Sequence, residues 1–136
     1  MVIKVNSTRT LGEVQDAFTA SFPALKLVFF TKKQEAFQGT HSKFMLTDRN
    51  LTLGSVERNP RDGVLHIEAD MPTWQLERLF EQEFGLHVQV FRKSGNIWLM
   101  TTVSDSLTLE EQNFKGLESL RHHADLGEIS DYREQD

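Results

Sequence analysis

Five histidines, and a group of aromatic side chains bordered by basic residues, are the parts of this 136-residue chain whose types and spacing suit chemistry. His66 and His87 hold matching places in two strand-like segments, Leu65-His66-Ile67 and Leu86-His87-Val88. Each sits between inward apolar residues, so alternation puts both imidazoles on an outer sheet face. On adjacent strands, with a third ligand such as Glu68, they would reach the distances of a metal centre. The competing reading is two solvated polar positions, because Lys4 and Lys26 stand in the equivalent places of an earlier segment. His122 and His123 are consecutive and cannot share one helix face, and His41 reads as a loop residue.

The same alternation places Val28, Phe30, Phe91, Trp98 and Met100 on the outer face, together with Lys26, His66, His87 and Gln89. Exposed aromatics in equivalent strands suit a contact surface for a protein partner or for self-association. A cover formed by the chain itself, from its C-terminal end or the long 34–43 connection, is the structural alternative. Lys32-Lys33 and Arg92-Lys93 end these strands beside Phe30 and Phe91, the pattern of a sheet that stacks single-stranded bases inside a basic border. The overall field opposes that use. The net charge is −5, and from Glu118 onward six acids against Arg121 and Arg133 leave −4, so the rest carries about −1. Binding a phosphate backbone needs a sustained positive field, and nucleic acid is the disfavoured partner.

Catalytic signatures are missing. The chain shows no phosphate-cradling glycine loop, no dinucleotide fingerprint, no Gly-x-Ser-x-Gly elbow and no His-Glu-x-x-His helix. It has no cysteine, which removes disulfides, thiolate metal sites and thiol nucleophiles together. The sequence therefore calls for no cofactor and assigns no catalytic residue; an enzyme or metal-dependent protein built near His66 and His87 is the alternative to a non-catalytic binding module. No apolar run nears the roughly 20 residues of a membrane span. Val2-Ile3-Lys4-Val5 opens in a strand pattern without a basic segment followed by an apolar one, so the expectation is a cytoplasmic protein with no membrane partner.

The elements that must position these groups come in two matching sets. Ile3-Lys4-Val5, then Val14, Phe18, Phe22, Leu25, Leu27 and Phe29, is echoed by Leu65-His66-Ile67, then Leu76, Phe80, Phe84, Leu86, Val88 and Val90. The spacing holds to one residue, which reads as a duplicated supersecondary unit. In the first copy Thr10 and Glu13 form a capping-box pattern before the helical stripe Leu11, Val14, Phe18, Phe22, which Pro23 ends. In the second, Asp70 and Thr73 compete as cap, Pro72 suits a first turn, and Gly85 suits a left-handed exit. Ser94-Gly95-Asn96 turns the chain into a hairpin partner over Ile97 to Thr102.

Asn50-Leu51-Thr52-Leu53 is echoed by Ser106-Leu107-Thr108-Leu109, and Thr108 with Glu111 repeats the capping box. Gly116 offers a stop for a short terminal helix. The expectation is one α+β domain over residues 1–117: two tandem β-α-β-β repeats (1–57 and 64–117, linked by 58–63) sharing one sheet and one core. Residues 118–136 are then a disordered acidic tail. A groove along the pseudo-twofold axis between the repeats is where a small molecule would bind.

The stretch from Thr10-Leu11-Gly12-Glu13 through Phe22-Pro23 to Leu25-Lys26-Leu27, with Val90-Phe91-Arg92-Lys93-Ser94-Gly95-Asn96-Ile97-Trp98-Leu99 and Thr108-Leu109-Glu110-Glu111-Gln112-Asn113, resembles a family of small uncharacterised proteins found mainly in Bacteroidetes. The resemblance covers most of the first 116 residues. It implies a compact α+β fold and supplies no catalytic residues. Met100 and Leu107 depart from the family pattern, which more often has an acidic residue and a tryptophan there.

Overall fold

The computed structural model describes residues 1–31, 44–57 and 61–125. It contains strand β1 (Val2–Val5), helix α1 (Leu11–Ser21), strands β2 (Leu25–Phe30) and β3 (Met45–Leu46), and the one-turn helix α2 (Leu53–Val56). Then follow β4 (Gly63–His66), α3 (Thr73–Phe84), β5 (His87–Ser94), β6 (Ile97–Met100) and α4 (Leu109–Asp125). Strands and helices alternate and mix as an α+β fold.

The strands form two sheets rather than the one anticipated. β1 pairs antiparallel with β4, and the second sheet runs β3-β2-β5-β6. Each half thus sends its first strand into one sheet and its second strand into the other, and both central pairings join one half to the other. Ile3 lies opposite Leu65 in the small sheet, and Val28 opposite Gln89 in the large one. Neither half closes a sheet of more than two strands by itself, so the backbone ladders as well as the side chains bind the halves together.

Local sequence explains how each helix starts. At α1 the Thr10 hydroxyl accepts the Glu13 amide at 3.1 Å while the Glu13 carboxylate accepts the Thr10 amide at 3.0 Å. At α3 neither Asp70 nor Thr73 caps: Pro72 is the N-cap and offers no side-chain acceptor. The first amides are instead satisfied by a neighbouring loop, Thr73 N–H donating to the Leu107 carbonyl and Trp74 N–H to that of Asp105. Thr73 is buried, and its hydroxyl also donates to Leu107 O, which is why it does not fold back as a cap.

That clamp has a counterpart in the first half. Leu11 N–H donates to Leu51 O and Gly12 N–H to Arg49 O, as Thr73 and Trp74 do to Leu107 and Asp105. Leu53 N–H donates to Arg9 O and Gly54 N–H to Ser7 O, matching Leu109 to Met71 and Glu110 to Ala69. Thr10 bridges Thr52 just as Pro72 bridges Thr108.

One core fills the space between the helices and the inner sheet faces. Ile3, Val14, Phe18, Leu27 and Phe29 from the first half meet Leu65, Leu76, Phe80, Val88 and Val90 from the second, all essentially dry. Phe29 and Phe80 cross edge to face at 6.2 Å between centroids. At roughly 25 cal/mol per Å² of apolar area, this shared interior is the dominant stabilising term.

The C-terminal helix departs most from expectation. Gly116 does not stop it; α4 runs on to Asp125, so residues 118–125 are helical rather than tail. Gly116 is instead a contact point, where a Cβ would lie 2.6 Å from Ala24 Cβ. The Asn113 side chain accepts the Ala24 amide, and the Ser119 hydroxyl donates to Lys93 O and accepts Gly95 N–H, fastening α4 over the ends of β2 and β5. Residues 126–136, like the linker residues 58–60, lie outside the described residues.

Candidate functional site

The large sheet has a helix-lined inner face and an outer face whose apolar cluster, among the described residues, takes no member from α1 to α4. β2 sends Leu25, Leu27 and Phe29 inward and Val28 and Phe30 outward. The outer cluster is Val28, Phe30 and Phe91, with Phe44, Met45, Trp98 and Met100 packed around them. The ladders set its rows: Phe30 stands opposite both His87 and Met45, Lys26 opposite Phe91, Phe91 opposite Met100, and Lys93 opposite Trp98.

The expected exposed platform is not there. Phe30 is 3% and Phe91 0% exposed, so neither ring is open to a partner. Both rings lie in one cluster with Phe44, Met45, Trp98 and Met100, and in the ladder Phe91 sits between Lys26 and Met100. Of the three aromatic residues named for the site, only Trp98 stays half-buried and reachable. Its indole has two cations beside it, Lys26 Nζ at 4.6 Å and Lys93 Nζ at 4.8 Å from the ring centroid. Lys26 Nζ also lies 5.5 Å from the Phe91 centroid. These contacts let the lysine stems cover apolar surface while the ammonium groups stay near the ring's negative face.

Arg92 does not join that basic border. It points to the opposite face, where Nη1 donates to Gln112 Oε1 at 2.8 Å and burial lowers its pKa from the ordinary guanidinium value. Lys32, Lys33 and His41 lie outside the described residues.

The two histidines proposed for a metal are separated by the split into two sheets. His66 is exposed on β4, opposite Val2, whereas His87 is on β5, opposite Phe30. Their strands are not neighbours, because each pairs with its own counterpart from the first half. Among the described residues no three His, Cys, Asp or Glu side chains gather as a metal-binding group, Glu68 included. His122 and His123 belong to the last turn of α4.

The seam between the halves offers a depression lined by Val5, Asn6, Leu53, Glu57, Arg61, Phe84 and Leu86. It encloses no room for even a water molecule.

A buried polar group confined to the second half is what the sequence reading missed. Thr73, Glu77, Gln89, Thr101, Thr102, Asp105 and Gln112 are all below a tenth exposed. Glu77, on α3, accepts the Val90 amide at 3.0 Å, standing in for a strand beyond the end of β6. The Thr101 hydroxyl donates to Val90 O, and Gln112 Nε2 to Ser104 O. Burial raises the pKa of Asp105 above the usual carboxylate value. His87 Nδ1, on the outer face, and Thr102 Oγ1, just past the end of β6, are buried without a hydrogen-bond partner. A signal did exist: the apolar run Ile97 to Met100 gives way at once to Thr101, Thr102, Ser104 and Asp105. Comparison of the chain with protein-family models, curated proteins and solved structures gave no match in any of the three.

Proposed function

We propose that the protein is a non-catalytic binding module whose contact point is the rim of the outer sheet face at Trp98, directed at an anionic ligand or partner surface. The observation that carries this reading is the placement of two ammonium groups within 5 Å of one reachable indole. Lys26 and Lys93 concentrate positive charge on a chain whose net charge is −5. An oxyanion beside the ring edge gains from both lysines while the indole supplies apolar contact. Phe30 and Phe91 serve as the floor that fixes Trp98 rather than as contacts themselves.

The matched hydrogen bonds of the two halves support an internal duplication, and we propose that the binding rim forms at one end of the paired halves only, from Lys93 and Trp98 of the second copy with Lys26 of the first. The first copy's edge strand β3 has two residues and no tryptophan. Kinship with the small Bacteroidetes proteins is likewise our proposal, resting on the residues quoted above.

The test is a titration of Trp98 fluorescence and backbone amide shifts with inorganic phosphate, nucleotides, acidic peptides and single-stranded RNA. Perturbations clustering on residues 26, 93 and 98, and weakened by Lys93→Glu, are the expected result. A salt-sensitive response to RNA alone would favour the nucleic-acid reading, and shifts centred on His66 and His87 on adding Zn²⁺ would favour the metal alternative.

A further inference from the structure

The strand that carries Trp98 is also an open sheet edge. β6 pairs with β5 and, among the described strands, with nothing else. Thr101 N–H donates to Val90 O at 3.2 Å, which sets the phase of the ladder. In an antiparallel pair the backbone groups of alternate residues point to opposite sides. Ile97, Leu99 and Thr101 therefore turn theirs toward β5, and Trp98 and Met100 turn their amides and carbonyls outward.

Sheet edges are normally protected by charges, proline or extreme shortness. The opposite edge, β3, is protected by having two residues. β6 has no such device. Residues 94–104 contain no charged side chain and no proline, and all four residues of β6 are apolar.

We infer that β6 pairs antiparallel with β6 of a second copy of this chain, around a two-fold axis at Leu99, to give a continuous eight-stranded sheet. The outward groups of Trp98 and Met100 are two residues apart with Leu99 between them, so this edge is its own antiparallel complement. With Leu99 opposite Leu99 of the second copy, each Trp98 exchanges two hydrogen bonds with a Met100, making four in all. Residues directly opposite share a face, so each indole also packs on a methionine and extends the outer cluster across the junction. The contact is isologous and closes at two copies. A second copy fits better than an arbitrary peptide because no charge within residues 94–104 meets its own repeat.

Sedimentation velocity of the full chain from micromolar to sub-millimolar concentration tests this. A mass rising toward twice the 15.7 kDa of one chain is expected. Met100→Pro deletes an outward N–H without touching the β5 ladder, and should weaken association by roughly tenfold or more. Met100→Lys, a charge on the same edge, should do the same, and far-ultraviolet circular dichroism identifies which variants stay folded. A wild-type monomer throughout, species larger than a dimer, or folded variants that associate as tightly as wild type would each overturn the inference. The inference does not rest on the anion-binding reading: a monomer whose Trp98 still responds to phosphate would sink the one and spare the other.

Discussion

Val28 and Gln89 face each other across the centre of the large sheet, and they are the same position in the two halves when Leu25 is laid on Leu86. The pairs on either side obey the same exchange, Lys26 with Phe91 and Phe30 with His87. Ile3 and Leu65 play this part in the small sheet. A pseudo-twofold axis through both pairs accounts for the strand order β3-β2-β5-β6, in which each half supplies one inner and one edge strand. It also shows where the halves have diverged: an apolar residue remains on one side of the axis, and a buried amide stands on the other.

The approach of α4 to β2 depends on the missing side chain at Gly116. Alanine normally improves a helix interior by about 1 kcal/mol over glycine. Here its methyl group would meet Ala24 Cβ at 2.6 Å and Ala24 O at 3.2 Å. Gly116→Ala should therefore destabilise by about 1–3 kcal/mol, the usual range for overpacking. Adding Ala24→Gly should recover part of that loss, and a double-mutant cycle in urea measures the coupling.

Phe91 and Trp98 are neighbours on one face with different duties. Phe91→Ala removes a fully buried ring and should cost about 3–5 kcal/mol. Trp98→Ala removes a half-buried ring and two cation–π contacts of about 0.5–1 kcal/mol each, and should cost distinctly less. Denaturant midpoints rank the two. An equal loss would make Trp98 a core residue and leave the rim without a contact point.

The helices, the second strands and the shared core were legible in the sequence because period 3.6 and period 2 stripes, repeated twice, report burial directly. The split of the strands into two sheets was not, since the same stripes serve either pairing and only the cross-half register decides between them. Alternation identified the outer face of β2 and β5, yet it says nothing of what lies beside each residue. Alternation therefore points to exposed rings at Phe30 and Phe91, whereas both are buried in a cluster with Phe44, Met45, Trp98 and Met100. Asp70 and Thr73 were plausible caps by residue type, but the carbonyls of Leu107 and Asp105, more than thirty residues away, satisfied the same amides. The length of α4 was hidden because a glycine that permits close contact looks, in sequence, like one that ends a helix.

The two capping boxes give a pH signature. Hydrogen bonds from Thr10 and Thr108, amide and hydroxyl alike, lower the pKa of Glu13 and Glu111 below the usual glutamate value. A depressed folded-state value means that this stabilisation is present above the unfolded pKa and lost as pH falls through the folded one. Side-chain carboxyl shifts followed by NMR should show both glutamates titrating below the usual glutamate range. Thr108→Ala should return Glu111 toward the ordinary value, leave Glu13 unmoved, and destabilise the protein by about 1 kcal/mol through loss of the cap.

Asp105 should show the opposite sign. It is 8% exposed, and desolvation raises its pKa, because a buried carboxylate has lost the water that would stabilise its charge. A raised folded-state pKa means that the native state favours the protonated form. Stability at this position is complete below the unfolded pKa and declines as pH rises through the folded value. Asparagine keeps the shape and removes the charge. Asp105→Asn should therefore melt a few degrees higher than wild type at neutral pH, a shift on the scale of about 1 kcal/mol or less for a chain of this size. The gap should close as the pH is lowered past the range in which the wild-type carboxyl takes up its proton. Because the Asp105 carbonyl also accepts the Trp74 amide, the substitution leaves the α3 clamp in place, and calorimetric melts of both proteins between acidic and neutral pH isolate the charge alone. Equal melting temperatures at every pH would mean that the carboxylate finds enough solvent or hydrogen bonding to stay ionised without cost.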